Sequence, residues 1–168
     1  MAGMRDIRVS KVVVNIGTGS DSNMHGNAVK ILKAITGAEP ADAISRKRNP
    51  AFKISKGQEI GAFVTLRGKK ATSILPKLFD AVDNKLKETN ISRNSINFGI
   101  KEYIDISGIK YDPKIGMLGM NVNVAFNRPG MRVALRKRKR AKIPEHHSMI
   151  NKEDIKAYIK KNFNVEVI

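Results

Sequence analysis

Three stretches of this chain alternate apolar and other residues one by one, and they constrain its fold more than any other feature. In "VSKVVVNIG", Val12, Val14 and Ile16 share one side of an extended chain, with Lys11, Val13 and Asn15 on the other. In "IGAFVTLRG", Ala62, Val64 and Leu66 alternate with Phe63, Thr65 and Arg67. In "LGMNVNVAF", Leu118, Met120, Val122, Val124 and Phe126 oppose a face that carries Asn121 and Asn123. A period of two means strands with one buried face. A fourth stretch, "INFGIKEYIDI", puts Ile96, Phe98, Ile100, Ile104 and Ile106 in one phase and predicts a further strand.

Helical spacing fills the gaps between these stretches. "NMHGNAVKILKAITG" sets Met24, Ala28, Ile31, Leu32 and Ile35 on one stripe, closed by Gly37 as a C-terminal cap. Ala71, Ile74, Leu75, Leu78, Val82 and Leu86 form a second stripe, in which Pro76 is tolerated if the helix starts near Thr72. A third helix is predicted after Asn151 as N-cap, with Asp154 at the third position, Ile150 stapled onto Ile155, and Tyr158, Ile159 and Phe163 continuing inward. "PADAIS" and "NVEVI" read as short strands. The expected class is α+β: a mainly antiparallel sheet with helices packed on one face, basic loops extending from it, and the other face free for a ligand. No Pro/Gly/Ser-rich linker divides the chain, so residues 1–168 are read as one domain.

The charge is unevenly placed. There are 32 Lys and Arg against 15 Asp and Glu, a formal net charge of +17. Residues 43–70 carry Arg46, Lys47, Arg48, Lys53, Lys56, Arg67, Lys69 and Lys70 against a single acid, Glu59. Residues 128–142 carry Arg128, Arg132, Arg136, Lys137, Arg138, Lys139, Arg140 and Lys142 with no acid. The remainder of the chain is nearly neutral. Concentrated cations on a neutral body are the footprint of a polyanionic partner, above all nucleic acid, because counterion release drives that association. With no cysteine, disulfides and thiolate chemistry are excluded. No apolar run reaches the ~20 residues of a membrane span and "MAGMRDIRVS" lacks a signal-peptide core, so a cytoplasmic location without membrane partners is expected.

Catalytic and cofactor readings fare poorly. "NIGTGSDS" lies between a strand and a helix, but Ser22 stands where a dinucleotide fingerprint needs glycine, and no Gly-Lys-Ser/Thr follows. A tight turn accounts for it, with close approach to an RNA phosphate as the functional variant. "EHH" at Glu145–His147 suggests a metal, yet adjacent histidines on an extended chain diverge and His25 is the only other histidine. Glu102 and Asp105, placed on a regular strand, would face opposite sides and cannot work as a pair. No metal, cofactor or catalytic residue is assigned, and the protein is read as a non-enzyme. With few aromatic residues, recognition of folded RNA by shape and phosphate contacts is favoured over base stacking.

Several longer strings carry a resemblance. "VVVNIGTG", "ITGAEP", "FKISKGQEIGAFVTLRGKKA" and "NFGIKEYIDISGIKYDPKIGMLGMNV", in this order, resemble the universal 5S-rRNA-binding family, the fifth protein of the large ribosomal subunit. "RPGMRVALRKRKRAKIPEHHSMINKED" resembles its archaeal and eukaryotic branch, and the brief N-terminus suits an archaeal member. The resemblance implies a structural constituent of the cytoplasmic ribosome, in the central protuberance near domain V of the large-subunit rRNA, its neighbouring proteins and the small-subunit head. It implies a 5S rRNA surface at Asn15, Gly17, Gly19, Thr65 and Arg67, to which the strand alternation adds Lys11, on the same side as Asn15. A loop bearing Arg46, Lys47, Arg48, Lys53 and Lys56 would reach P-site tRNA. The cations Arg132, Arg136, Lys137, Arg138, Lys139, Arg140 and Lys142 are read as an rRNA-binding segment, mobile in the free protein and ordered on RNA. The competing reading is an RNA-acting enzyme or free RNA chaperone using the same basic surface.

Overall fold

In the computed structural model, which describes residues 3–168, the first alternating stretch becomes β1 (Arg8–Gly17), followed by α1 (Ser22–Thr36) and β2 (Ala41–Ile44). Met1 and Ala2, at the start of "MAGMRDIRVS", lie outside the described residues. The chain continues through β3 (Glu59–Leu66), α2 (Lys69–Asp80), β4 (Lys85–Leu86), β5 (Ile91–Ser92), β6 (Ser95–Ile100) and β7 (Met120–Asn127). It ends in two one-turn helices, α3 (Arg132–Leu135) and α4 (Glu145–Ser148), then α5 (Lys152–Phe163) and β8 (Glu166–Val167). Six strands form one antiparallel sheet in the order β2-β3-β1-β7-β6-β5, while β4 and β8 make a separate parallel pair.

The expected α+β class and the phase of the strands hold. Val12 pairs with Leu66 on one side and Val124 on the other, and Val14 with Val64 and Val122, so three strands present one continuous apolar face. These residues are essentially fully buried, as are Ile96, Phe98 and Ile100 on β6. The helices cover this face. Helix α1 is capped by the Asp21 carboxylate, which accepts the Asn23 amide at 2.9 Å, and it stops at Gly37, whose left-handed backbone (φ 61°) sends its amide to the Lys33 carbonyl. No helix among the described residues is long and apolar enough to cross a membrane.

Four local expectations are corrected. Met24 is 42% exposed, and His25 takes the inward position on α1 instead. Helix α2 starts at Lys69, which places Pro76 in its interior at the cost of one backbone hydrogen bond, and it ends at Asp80. The left-handed residues Asp83 and Asn84 then turn the chain, so Val82 lies in the turn and Leu86 is buried from β4 rather than from a helix. The strand that begins "INFGI" ends at Ile100; a 3-10 turn over Tyr103–Asp105 follows, and buries Tyr103, whose hydroxyl accepts the Asp112 amide at 3.1 Å. Ile106 is still buried and Ile104 half-buried, but from this turn, and Glu102 and Asp105 flank it rather than opposing each other on a strand.

The last correction concerns α5. Asn151 occupies the N-cap position without a side-chain hydrogen bond, and the Asp154 carboxylate instead accepts from Arg128 at 3.2 Å. Ile150 and Ile155 are both fully buried, as a hydrophobic staple requires, and the Ile150 amide donates to Asn94 Oδ1 at 2.8 Å. Nearby, Lys156 hydrogen-bonds Glu88 and holds its carboxyl below the ordinary carboxylate range.

Phe79, a core residue not singled out by the α2 pattern, joins the layers. Its ring stacks on Phe98 of β6 at 5.5 Å and tilts against Phe163 of α5 at 5.4 Å. Phe79→Ala is expected to cost ~3–5 kcal/mol in a denaturant titration, since three elements meet at the cavity it leaves. Phe52→Ala, at a site 69% exposed, should stay within ~0.5 kcal/mol of the parent.

Candidate nucleic-acid interface

Side chains that alternate away from the core form the uncovered face of the sheet, and the register arranges them in rows. Phe63, Asn15 and Asn121 line up across β3, β1 and β7, with Gly99 of β6 beyond Asn121. Thr65, Val13, Asn123 and Asn97 make the next row. Lys11 and Arg67 lie one residue past the Val12–Leu66 pair, at the end of the sheet where Ala125 faces Lys11. These rows contain no acid. Four asparagines of this face, joined by Asn90, line a shallow depression of about 450 Å³. Each amide offers both donors and acceptors, suited to ribose hydroxyls and base edges. The Asn15 side-chain carbonyl is itself buried without a hydrogen-bond partner among the described residues.

The predicted face residues are placed as follows. Asn15 and Lys11 are half-buried on the open face, while Thr65 and Arg67 are exposed. Gly17 ends β1 and borders a second depression with Gly99 and Gly119, where bare backbone lies at the surface. Gly19 sits in the following turn with φ 65°. The turn's amides are already committed: Thr18 and Gly19 both donate to the Ile60 carbonyl, at 2.9 and 3.2 Å. They are therefore not free to hold a phosphate, and Gly17 and Gly19 contribute access rather than donors. Asn97 and Gly99 join the face without having been expected there, although the alternation of "INFGI" that buries Ile96 and Phe98 assigns them to it.

The cations 46–56 lie on an ordered hairpin between β2 and β3. Ser45 and Gln58 close its base, with the Ser45 amide on the Gln58 carbonyl at 2.8 Å. Asn49 and Ile54 exchange both backbone bonds nearer the tip, around a 3-10 turn at Pro50–Phe52. Arg46, Lys47, Arg48, Lys53 and Lys56 are all exposed.

The second basic segment leaves the opposite end of the sheet. β3 begins beside Gly17 at the end of β1, whereas β7 finishes at Asn127 beside Arg8 at its start. Arg128 is tied to Asp154, and it makes the only ion pair formed by a cation of either basic segment among the described residues. Arg132, Arg136, Lys137, Arg138, Lys139, Arg140 and Lys142 are exposed. The segment folds back locally through the Arg136 guanidinium on the Lys139 carbonyl at 2.8 Å. His146 and His147 lie on α4, not on extended chain, with ring centroids 4.2 Å apart.

Comparison with known proteins bears on this geometry. The family model described as "Ribosomal protein L5" matches residues 3–54, and the model of the same family's C-terminus matches residues 59–157. The chain belongs to the ribosomal protein L5 family. It is similar to the large ribosomal subunit protein uL5 of Sulfurisphaera tokodaii, 41% identical over 98% of this chain and 94% of that protein. The uL5 of Nanoarchaeum equitans is 41% identical over 98% of both chains, and that of Methanobrevibacter smithii 37% identical over 100% and 99%. As an L5-family member the chain has a structural role in the large ribosomal subunit and is not an enzyme. Both family segments contribute to the open face: β1 lies in the first, and β3, β6 and β7 in the second.

Proposed function

We propose that this L5-family chain binds 5S rRNA with the open face of its sheet and helps anchor it to large-subunit rRNA, in the region of domain V, through the segment 132–142. The hairpin 46–56 contacts P-site tRNA. The whole chain acts as one RNA-binding unit in the central protuberance, beside neighbouring proteins and the small-subunit head. The observation that carries the reading is the acid-free open face, rich in side-chain amides, with an exposed cationic segment leaving each end of the same sheet. Amides and hydroxyls on a rigid sheet suit recognition of a folded RNA surface, whereas the cations supply attraction and register along phosphates.

On this reading Thr65→Ala with Arg67→Ala should weaken 5S rRNA binding by ~1–3 kcal/mol for each hydrogen bond to RNA that is removed, with unchanged circular dichroism. A filter-binding titration showing parental affinity would refute the role of the face.

The hairpin is expected to separate from that face functionally. Neutralising Arg46, Lys47 and Arg48 should leave 5S rRNA affinity almost intact and lower P-site tRNA occupancy in reconstituted particles. The reverse pattern would exchange the two assignments.

For the segment 132–142, mobile in the free protein on this reading and ordered by rRNA, neutralising Arg136–Arg140 should reduce the salt slope of rRNA binding by up to ~0.9 for each duplex phosphate no longer neutralised. The melting temperature should stay nearly unchanged, because all five side chains are exposed. An unaltered slope and affinity would mean that these cations are merely solvated.

A further inference from the structure

His25 is the residue on α1 that the apolar pattern does not explain. It is 8% exposed, and its Nε2 lies 3.2 Å from Asp42 Oδ1 and 3.4 Å from Glu59 Oε2. One ligand atom from each of the three residues falls within 4.8 Å of the other two. The residues come from α1, β2 and β3, so no local spacing in the sequence announces them.

Hydrogen bonding alone accounts poorly for this arrangement. Nε2 carries a single N–H or a single lone pair, so it cannot give two carboxylates a well-directed bond each. Nδ1 is buried without a partner among the described residues, and the choice therefore turns on Nε2. The two carboxylates also repel each other. In a chain with 32 Lys and Arg, neither Asp42 nor Glu59 forms an ion pair with one among the described residues. Glu59 is the one acid of the basic segment 43–70 and Asp42 lies just before that segment, and the fold brings the two acids and an imidazole together.

A divalent cation bound to Nε2 accounts for the two carboxylates that converge on that nitrogen and for their closeness to each other, and it fixes the proton on Nδ1. Two carboxylates and a neutral imidazole together carry the charge that such an ion cancels. Ligand bonds of ~2.0–2.2 Å around tetrahedral zinc place neighbouring ligand atoms ~3.3–3.6 Å apart. The separations of 3.2 and 3.4 Å from Nε2 are close to that edge length. Mixed nitrogen and oxygen ligands suit zinc and related transition metals better than magnesium, which favours an oxygen-only octahedron. The Asp42 and Glu59 side chains are about half exposed, at 47% and 55%, which gives an ion a route in and leaves room for water to complete its shell.

We propose that His25, Asp42 and Glu59 form a binding site for a divalent transition-metal ion of the zinc class. The site is structural: Asp42 lies two residues before the end of β2 and Glu59 opens β3, so the ion ties both legs of the basic hairpin to α1. Metal uptake is independent of what the hairpin touches, and its failure would leave the RNA-binding reading intact.

The test uses the full chain stripped of metal by a chelator and titrated with zinc chloride by calorimetry, alongside thermal melts. The wild type is expected to bind one equivalent and melt higher with zinc. Asp42→Asn and Glu59→Gln, exposed positions whose changes leave the core alone, should each weaken binding by at least the ~10–100-fold that even an outer-shell change costs, and lose the thermal shift. His25→Ala should do the same where it folds. His146→Ala with His147→Ala controls for adventitious binding at the exposed pair and should bind as the wild type does. Absence of stoichiometric binding, parental affinity in both carboxylate variants, or loss of binding in the His146/His147 variant would each overturn the proposal.

Discussion

The register of β1 with its two neighbours is the constraint on which the structure depends. Because Val12 and Val14 are flanked by Leu66 and Val64 on one side and by Val124 and Val122 on the other, a slip of β1 by one residue would turn Val12, Val14 and Ile16 outward at once. The same pairing fixes the opposite face. Asn15 stands beside Asn121, and Val13 between Thr65 and Asn123, for no other reason than that their neighbours are buried. The core and the candidate interface are two sides of one alternation.

That coupling explains how far the sequence can be read. Strands with one wet face write their orientation into every second residue, so the sides taken by Lys11, Asn15, Thr65 and Arg67 are legible by inspection. The pattern misleads where apolar residues keep their phase while the backbone changes form. Ile104 and Ile106 continue the rhythm of β6 across a 3-10 turn, and Leu86 prolongs the stripe of α2 after the helix has ended. In both cases burial is preserved and conformation is not. The exchange of Met24 for His25 has another origin, since a hydrophobicity pattern has no term for an imidazole drawn inward by carboxylates from distant strands.

The two cationic segments differ in how they are held. The hairpin is closed by backbone bonds from its base almost to its tip, whereas the segment after β7 is anchored at its ends, by Arg128 on Asp154 and by the Ile150 amide on Asn94. The first presents its charges on a stiff projection. The second has local bonds but no strand to lie on, which leaves its shape more open to adjustment by whatever it meets.

The position of β7 in the chain has a consequence for biosynthesis. β1 is central in the sheet and among the first segments to be made, yet one of its edges stays unpaired until β7, beginning at Met120, has been synthesised. Its partner on the other side, β3, is available much earlier. A nascent chain therefore passes through a stage in which a Val-rich edge is open, the hazard for edge-to-edge association that unpaired strands carry. By then the hairpin cations 46–56 have already been made. Like charges on neighbouring nascent chains repel, which opposes their close approach while that edge is open.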